Sequence, residues 1–180
     1  MSRKCVFLDR DGTIIAERHY LGDPDQVEIE TEVIDALKEF ADAGYIFVVI
    51  SNQSGVARGM ITSAQVDLVN QRITNLLQAH GIHLADYYFC AHSVAERCRC
   101  RKPGIEMIVQ AVQDLDIDLS QSIMIGDKDI DLLTADRAGI PGYLVLTGYG
   151  KSHEQWAIDH GYEVYNTMMG VVRRISRSLY

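Results

Sequence analysis

The sequence predicts an α/β domain built on a mainly parallel sheet with helices on both faces. Two observations lead there. Short apolar runs alternate with amphipathic stretches of helical period, and polar residues of similar type follow one short run after another. The runs Cys5–Leu8, Tyr45–Ile50, Tyr87–Cys90, Ser122–Ile125 and Tyr143–Leu146 are almost free of charge, as strands buried on both faces must be. Between them, Val33, Leu37, Phe40 and Ala41 form one helical stripe, with Gly44 as its stop. Val66, Val69, Ile73, Leu76 and Leu77 form a second, and Ile105, Ile108, Val112 and Leu115 a third.

With 180 residues the chain has room for one domain, read as spanning 1–180, and none for a large cap domain. Its 17 basic and 25 acidic residues give a net charge of −8, which argues against a nucleic-acid or anionic-membrane surface. A few cations in a cleft are still enough for a phosphorylated substrate. The first eight residues are too short for a signal peptide, and no apolar run approaches the ~18 residues of a membrane span. A cytoplasmic monomer is the expectation, and in that compartment the four cysteines are not a disulfide framework.

In open parallel sheets ligands bind beyond the carboxyl ends of the strands. Asp9 follows the first predicted strand, Ser51 and Asn52 the second, Cys90 and His92 the third, and Asp127 the fourth. Asp9-Arg10-Asp11-Gly12-Thr13 alone reads more readily as an acidic turn than as a site. As a site, one carboxylate attacks phosphorus and its neighbour transfers protons, while Thr13 offers a hydroxyl to the phosphate or to the turn. Ser51, Asn52 and Gln53 supply donors for a phosphate cradle. Lys102, after Arg101 and before a helix start, adds a cation. Asp9, Asp127 and the carbonyl of Asp11 suit Mg²⁺, which prefers oxygen ligands with one or two carboxylates.

Cys90, His92, Cys98 and Cys100 place one imidazole and three thiols within eleven residues. Any one cysteine is most simply a core residue; four such groups together predict a closed structural Zn²⁺ site on a loop at about 90–100. Cys5 is expected in the core, the other five histidines on the surface or in ordinary packing, Met168 and Met169 in packing, and the basic tail from Arg173 at a solvated helix end.

In the order Asp9–Thr13, Ser51, Lys102 and Asp127–Asp131, the chain resembles the haloacid-dehalogenase-type phosphatases over about residues 4–150. The resemblance implies a Rossmann-like three-layer sandwich. It makes Asp9 the nucleophile, Asp11 the acid and base, Ser51 and Lys102 phosphate holders, and Asp127 a metal ligand. Asp131 takes a secondary, orienting part. The cysteine loop leading into Cys100-Arg101-Lys102-Pro103 is similar to the subgroup holding heptose 1,7-bisphosphate 7-phosphatases and histidinol-phosphatase domains. Ser51–Gly59, Gly126-Asp127-Lys128 and Thr147–Gly150 favour the heptose side. The short interval from His92 to Cys98, and Ala91 where the pattern has proline, leave histidinol phosphate as the alternative. By this likeness the substrate is a small sugar bisphosphate in a route to cell-surface polysaccharide such as lipopolysaccharide. Arg58, Arg101 and Lys102 would meet its second anionic group, unless Arg58 only pairs with an acid on its own loop. Two non-enzymatic readings compete: a phospho-receiver, which leaves Cys98 and Cys100 unexplained, and a zinc-loop binding module.

Overall fold

A computed structural model describes residues 2–177. Six strands form one parallel sheet: β1 (Cys5–Leu8), β2 (Ile46–Asn52), β3 (Leu84–Cys90), β4 (Ile123–Gly126), β5 (Gly142–Val145) and β6 (Glu163–Tyr165). Their order is β3-β2-β1-β4-β5-β6, with β1 central. The chain builds outward from β1 on one side and then returns to build β4, β5 and β6 on the other. The reversal opens a crevice at the carboxyl ends of β1, β2 and β4, the place where such sheets hold ligands.

Register sets which side chains face which layer. Val6 lies against Phe47 and Ile123, and Leu8 against Val49 and Ile125. These residues share a core with α1 (Thr31–Asp42), α2 (Ser63–Gln78) and α6 (Met168–Ser176). Cys5 and Phe7 point the other way, into a core with Met107, Ile108 and Ala111 of α3 (Glu106–Leu115) and Ala135 of α4 (Asp129–Ala138). The period-2 alternation of a strand buried on both faces thus explains a run with no polar residue in it. Under α5 (Gly150–Asp159), Leu132, Leu144 and Ala157 form a smaller third cluster.

The expected three-layer α/β fold is present, and no separate cap domain is evident among the described residues. No helix described is long and apolar enough to cross a membrane.

Details shift at the element ends. β2 and β3 are each longer than expected, so Ser51 and Asn52 close β2 instead of following it. The α1 stripe buries Ala36 where Ala41 was expected, because Ala41 faces solvent in the last turn. Ile105 caps α3 from outside, and Met107 and Ala111 join its buried face. β6 was not foreseen: it has three residues, one of them charged, at the sheet edge. Cys5 and Met168 are buried as expected, and Arg173 and Arg174 lie in the last turn of α6.

Candidate active site and thiol cluster

Asp9 leaves the end of β1 with its N–H donating to Ile125 O at 3.0 Å, so the sheet ladder itself aims the carboxylate into the crevice. The following turn is tight: the N–H groups of Ile14 and Ile15 both donate to Arg10 O. Gly12 sits at φ +85°, and a Cβ there would fall 2.2 Å from Asp127 Oδ2. Gly148 at φ +52° meets the same oxygen at 2.3 Å. Two glycines are therefore needed for the loops after β1 and β5 to close around Asp127. Thr147 Oγ1 donates to Gly12 O at 2.5 Å and Tyr149 N–H to Asp127 Oδ2 at 2.8 Å, completing that clamp.

Lys102 is the electrostatic centre. Its buried ammonium lies 2.7 Å from Asp9 Oδ1, 2.7 Å from Asp131 Oδ1 and 2.7 Å from Ile50 O. Burial opposes charging of all three side chains. The lysine overcomes this for Asp9, holding it below the usual carboxylate range together with Lys128. Asp131 stays raised because burial outweighs its share of the same lysine. Lys102 is raised, the two carboxylates outweighing its own burial. Asp127 is pushed up to about 7 by burial and the charge of Asp9. Oxygen atoms of Asp9, Asp127 and Asp131 all lie within 4.8 Å of one another. Three buried acids thus face two lysines, a set short of positive charge and shaped for a cation.

The remaining expected residues divide. Gln53 Nε2 donates to Ser51 Oγ at 2.6 Å and to Asp11 Oδ2 at 3.0 Å, so those three meet at the mouth of the site. Asp11 is also gripped by Arg10 at 2.9 Å, and the buried Arg10 is anchored in turn to Asn70 Oδ1 at 3.2 Å. Asn52 lines the catalytic pocket with Ser51, Gln53 and Asp11, and its amide is engaged at one side of it. It donates to Lys102 O at 3.1 Å and accepts from Lys102 N–H at 3.0 Å, a clasp on the lysine's own backbone. Thr13 does not line the catalytic pocket: its buried hydroxyl has no hydrogen-bond partner among the described residues, and the residue borders a neighbouring cavity of about 170 Å³ with Gly12 and Thr147. Arg58 pairs with no acid on its loop. It donates to Tyr20 Oη at 2.8 Å, and Tyr20 lines the catalytic pocket. Arg101 lines that pocket, which measures about 210 Å³.

Lys128 was given no role from sequence. It lies 3.0 Å from Asp127 Oδ1, 3.9 Å from Asp9 Oδ2 and 3.8 Å from Glu17 Oε2, bridging the acids across the pocket. A cation directly after Asp127 at a strand end was the available signal. Glu17, raised mainly by burial, had no such signal, since it stands in an irregular loop.

The second cluster begins where β3 ends. Cys90 Sγ lies 3.5 Å from His92 Nδ1, 3.5 Å from Cys98 Sγ and 3.1 Å from Cys100 Sγ. His92 Nδ1 to Cys100 Sγ is 3.3 Å, and Cys98 to Cys100 is 3.5 Å. No cysteine in the group is in a disulfide. Four ligand atoms converging from one strand end and one loop make a candidate metal centre. Main-chain bonds from Gln53 to Cys90 and from Ala57 to Ala91 tie this loop to the Ser51 loop.

Comparison with known proteins fits this geometry. The HAD-hydrolase-like family model matches residues 99–168. The D-glycero-beta-D-manno-heptose-1,7-bisphosphate 7-phosphatase of Haemophilus ducreyi is 40% identical over 156 residues, 82% of this chain and 86% of that protein. The D-glycero-alpha-D-manno-heptose-1,7-bisphosphate 7-phosphatase of Photorhabdus laumondii is 38% identical over 157 residues, 83% of this chain and 86% of its own length. Among solved structures, the D,D-heptose 1,7-bisphosphate phosphatase of B. bronchiseptica, complexed with magnesium and phosphate, superposes with a TM-score of 0.87 at 27% identity. It covers 97% of this chain and 99% of its own.

Proposed function

The chain belongs to the D-glycero-D-manno-heptose-1,7-bisphosphate 7-phosphatase family of HAD-like phosphatases, and on that premise we propose that it removes the C7 phosphate of a heptose 1,7-bisphosphate. The observation that carries the proposal is the buried Asp9 carboxylate held by Lys102 at 2.7 Å on the central strand. A carboxylate kept ionised and fixed in direction is a competent nucleophile toward phosphorus.

In this reading the free oxygen of Asp9 attacks the C7 phosphorus and the bond to the sugar oxygen breaks. Asp11 leaves its contacts with Arg10 and Gln53, takes up a proton from solvent and passes it to the departing alkoxide. The same carboxylate then takes a proton from the water that hydrolyses the aspartyl phosphate. Ser51 and Gln53 donate to the transferred oxygens, Lys102 offsets their charge, and Asn52 holds Lys102 in register. Asp9, Asp127 and the main-chain carbonyl of Asp11 would hold Mg²⁺. When bound, it reduces the repulsion between anionic nucleophile and anionic substrate. The crowding of Asp9, Asp127 and Asp131 within 4.8 Å fits that ion.

Cys90, His92, Cys98 and Cys100 would hold a structural Zn²⁺. Their spacings of 3.1–3.5 Å fall slightly short of the roughly 3.8 Å edge of a tetrahedron with ligands at about 2.3 Å. The protein works as a cytoplasmic monomer, folded as one domain with this loop beside the active site. Light scattering at one chain's mass tests the monomer.

The substrate assignment rests on a steady-state panel of both anomers of the heptose bisphosphate, histidinol phosphate and fructose 1,6-bisphosphate. A heptose bisphosphate should lead in kcat/KM. The short His92–Cys98 interval favours histidinol phosphate as the second reading. A tenfold preference for it, about 1.4 kcal/mol of transition-state discrimination, overturns the first.

A further inference from the structure

Beside the catalytic pocket lies a larger groove of about 720 Å³, bounded by the loop from Val94 to Arg101, the turn at Pro103 and α4. Arg101 and Ile130 line both cavities, so the two share a wall. Arg97, Arg99, Arg101 and Arg137 surround the groove, against a single acid, Glu106. In a chain of net charge −8 with 17 basic residues, this is a local reversal of sign.

None of the four guanidiniums is ion-paired to a carboxylate among the described residues. Arg101 reaches His92 O at 3.3 Å and Arg137 reaches Pro103 O at 3.0 Å, which steadies each side chain and leaves most of its five donors unspent. The start of α3 also borders the groove. Its N-cap, Ile105, makes no side-chain cap bond, so the first-turn N–H groups add positive potential there. Val94, Pro103, Ile105 and Ile130 give the wall its apolar stretches, Lys102 and Cys98 also border it, and Val94 is 67% exposed.

The geometry points to a second ligand site in this groove, for a phosphorylated small molecule that binds apart from the catalytic pocket. Its phosphoryl oxygens meet the guanidinium forks, whose planar donor pairs match phosphate. Its carbon portion lies against Val94, Pro103 and Ile105. The volume falls in the roughly 300–1,000 Å³ range of small-molecule sites. The positive surface is a concavity and not a broad face, which suits a metabolite better than nucleic acid. Through Arg101 an occupant would be felt in the catalytic pocket.

The test is calorimetric titration of inorganic pyrophosphate into the zinc-loaded protein in magnesium-free, low-salt buffer. Wild type is compared with Arg97→Ser/Arg99→Ser/Arg137→Ser and with Arg137→Gln alone, which leaves the thiol loop intact. The expected result is salt-sensitive binding, weakened tenfold or more in the triple variant and about threefold in the single one. Zinc content and magnesium-dependent hydrolysis of p-nitrophenyl phosphate should stay within twofold of wild type. Equal pyrophosphate affinity in all three proteins overturns the site. So does a triple variant that binds pyrophosphate normally but raises KM for the heptose bisphosphate tenfold, because the groove would then hold only the substrate's far phosphate. If the triple variant loses zinc, an unchanged affinity in Arg137→Gln is the contradicting result.

Discussion

The catalytic crevice and the thiol loop are neighbours held together by opposite means. The crevice is an electrostatic network set in the sheet: Asp9, Lys102, Asp127 and Asp131 are all buried, on or next to strands and helices packed on both faces. The loop from Ala91 to Arg101 is mostly exposed and has one short turn, Val94–Glu96, to organise it. Cys90, His92, Cys98 and Cys100 draw its two ends together. The difference teaches where each region should fail. Disturbing the crevice should cost global stability, because an uncompensated buried charge must be desolvated; disturbing the loop should cost placement of Arg101 while leaving the sheet intact.

The largest effect is expected from Lys102→Met. It leaves Asp9 and Asp131 buried with no shared cation and should lower unfolding free energy by about 3–5 kcal/mol in urea titrations. Adding Asp131→Asn should restore part of that loss but none of the activity. A single variant as stable as wild type would break the contrast between the two regions. Next comes Cys98→Ala/Cys100→Ala. Zinc by elemental analysis should fall from about one per chain to near zero, and kcat/KM should fall about 10- to 100-fold through misplacement of Arg101. Hydrogen exchange should rise over residues 91–101 and not in β1 or β4. Unchanged zinc in that variant contradicts the site.

Asn52→Ala sharpens the comparison, since Asn52 sits on the crevice side but acts on the segment leaving the loop. Removing its two bonds to the Lys102 backbone should destabilise by about 1–3 kcal/mol and lower kcat more than it raises KM. A pure KM effect would instead make Asn52 a substrate contact. Arg58→Ala should be mildest, with stability within about 0.5 kcal/mol of wild type and KM raised less than about threefold, because its partner Tyr20 and not Arg58 lines the pocket. A tenfold rise in KM would place the guanidinium on the substrate.

Much of this was legible in the sequence because buried parallel strands carry two strong signals, an apolar run and a polar residue at its end. Asp9, Ser51, Lys102 and Asp127 are separated by long stretches of chain, yet the sheet order brings them to one crevice. The thiol set was equally plain, because its four members are close in sequence as well as in space. What was not legible depends on side-chain direction. Nothing local says that the Thr13 hydroxyl is buried without a partner, that Asn52 spends its amide on Lys102, or that Arg10 is buried against Asn70 from α2. Lys128 stood in a quoted motif, but its reach to Asp9 and Glu17 follows from the approach of two loops. β6 escaped because three residues at a sheet edge carry too little pattern to read.

The central claim is that Asp9 itself takes the phosphoryl group. The direct measurement uses Asp11→Asn with magnesium and an aryl phosphate whose leaving group needs no protonation. After an acid quench, the peptide containing Asp9 is analysed by mass spectrometry. The account predicts a phosphoryl adduct on Asp9 that hydroxylamine removes, as it removes an acyl phosphate, and that is absent in Asp9→Asn. An adduct on another residue, or continued turnover by the Asp9→Asn protein at a rate within about 10³-fold of wild type, would contradict it.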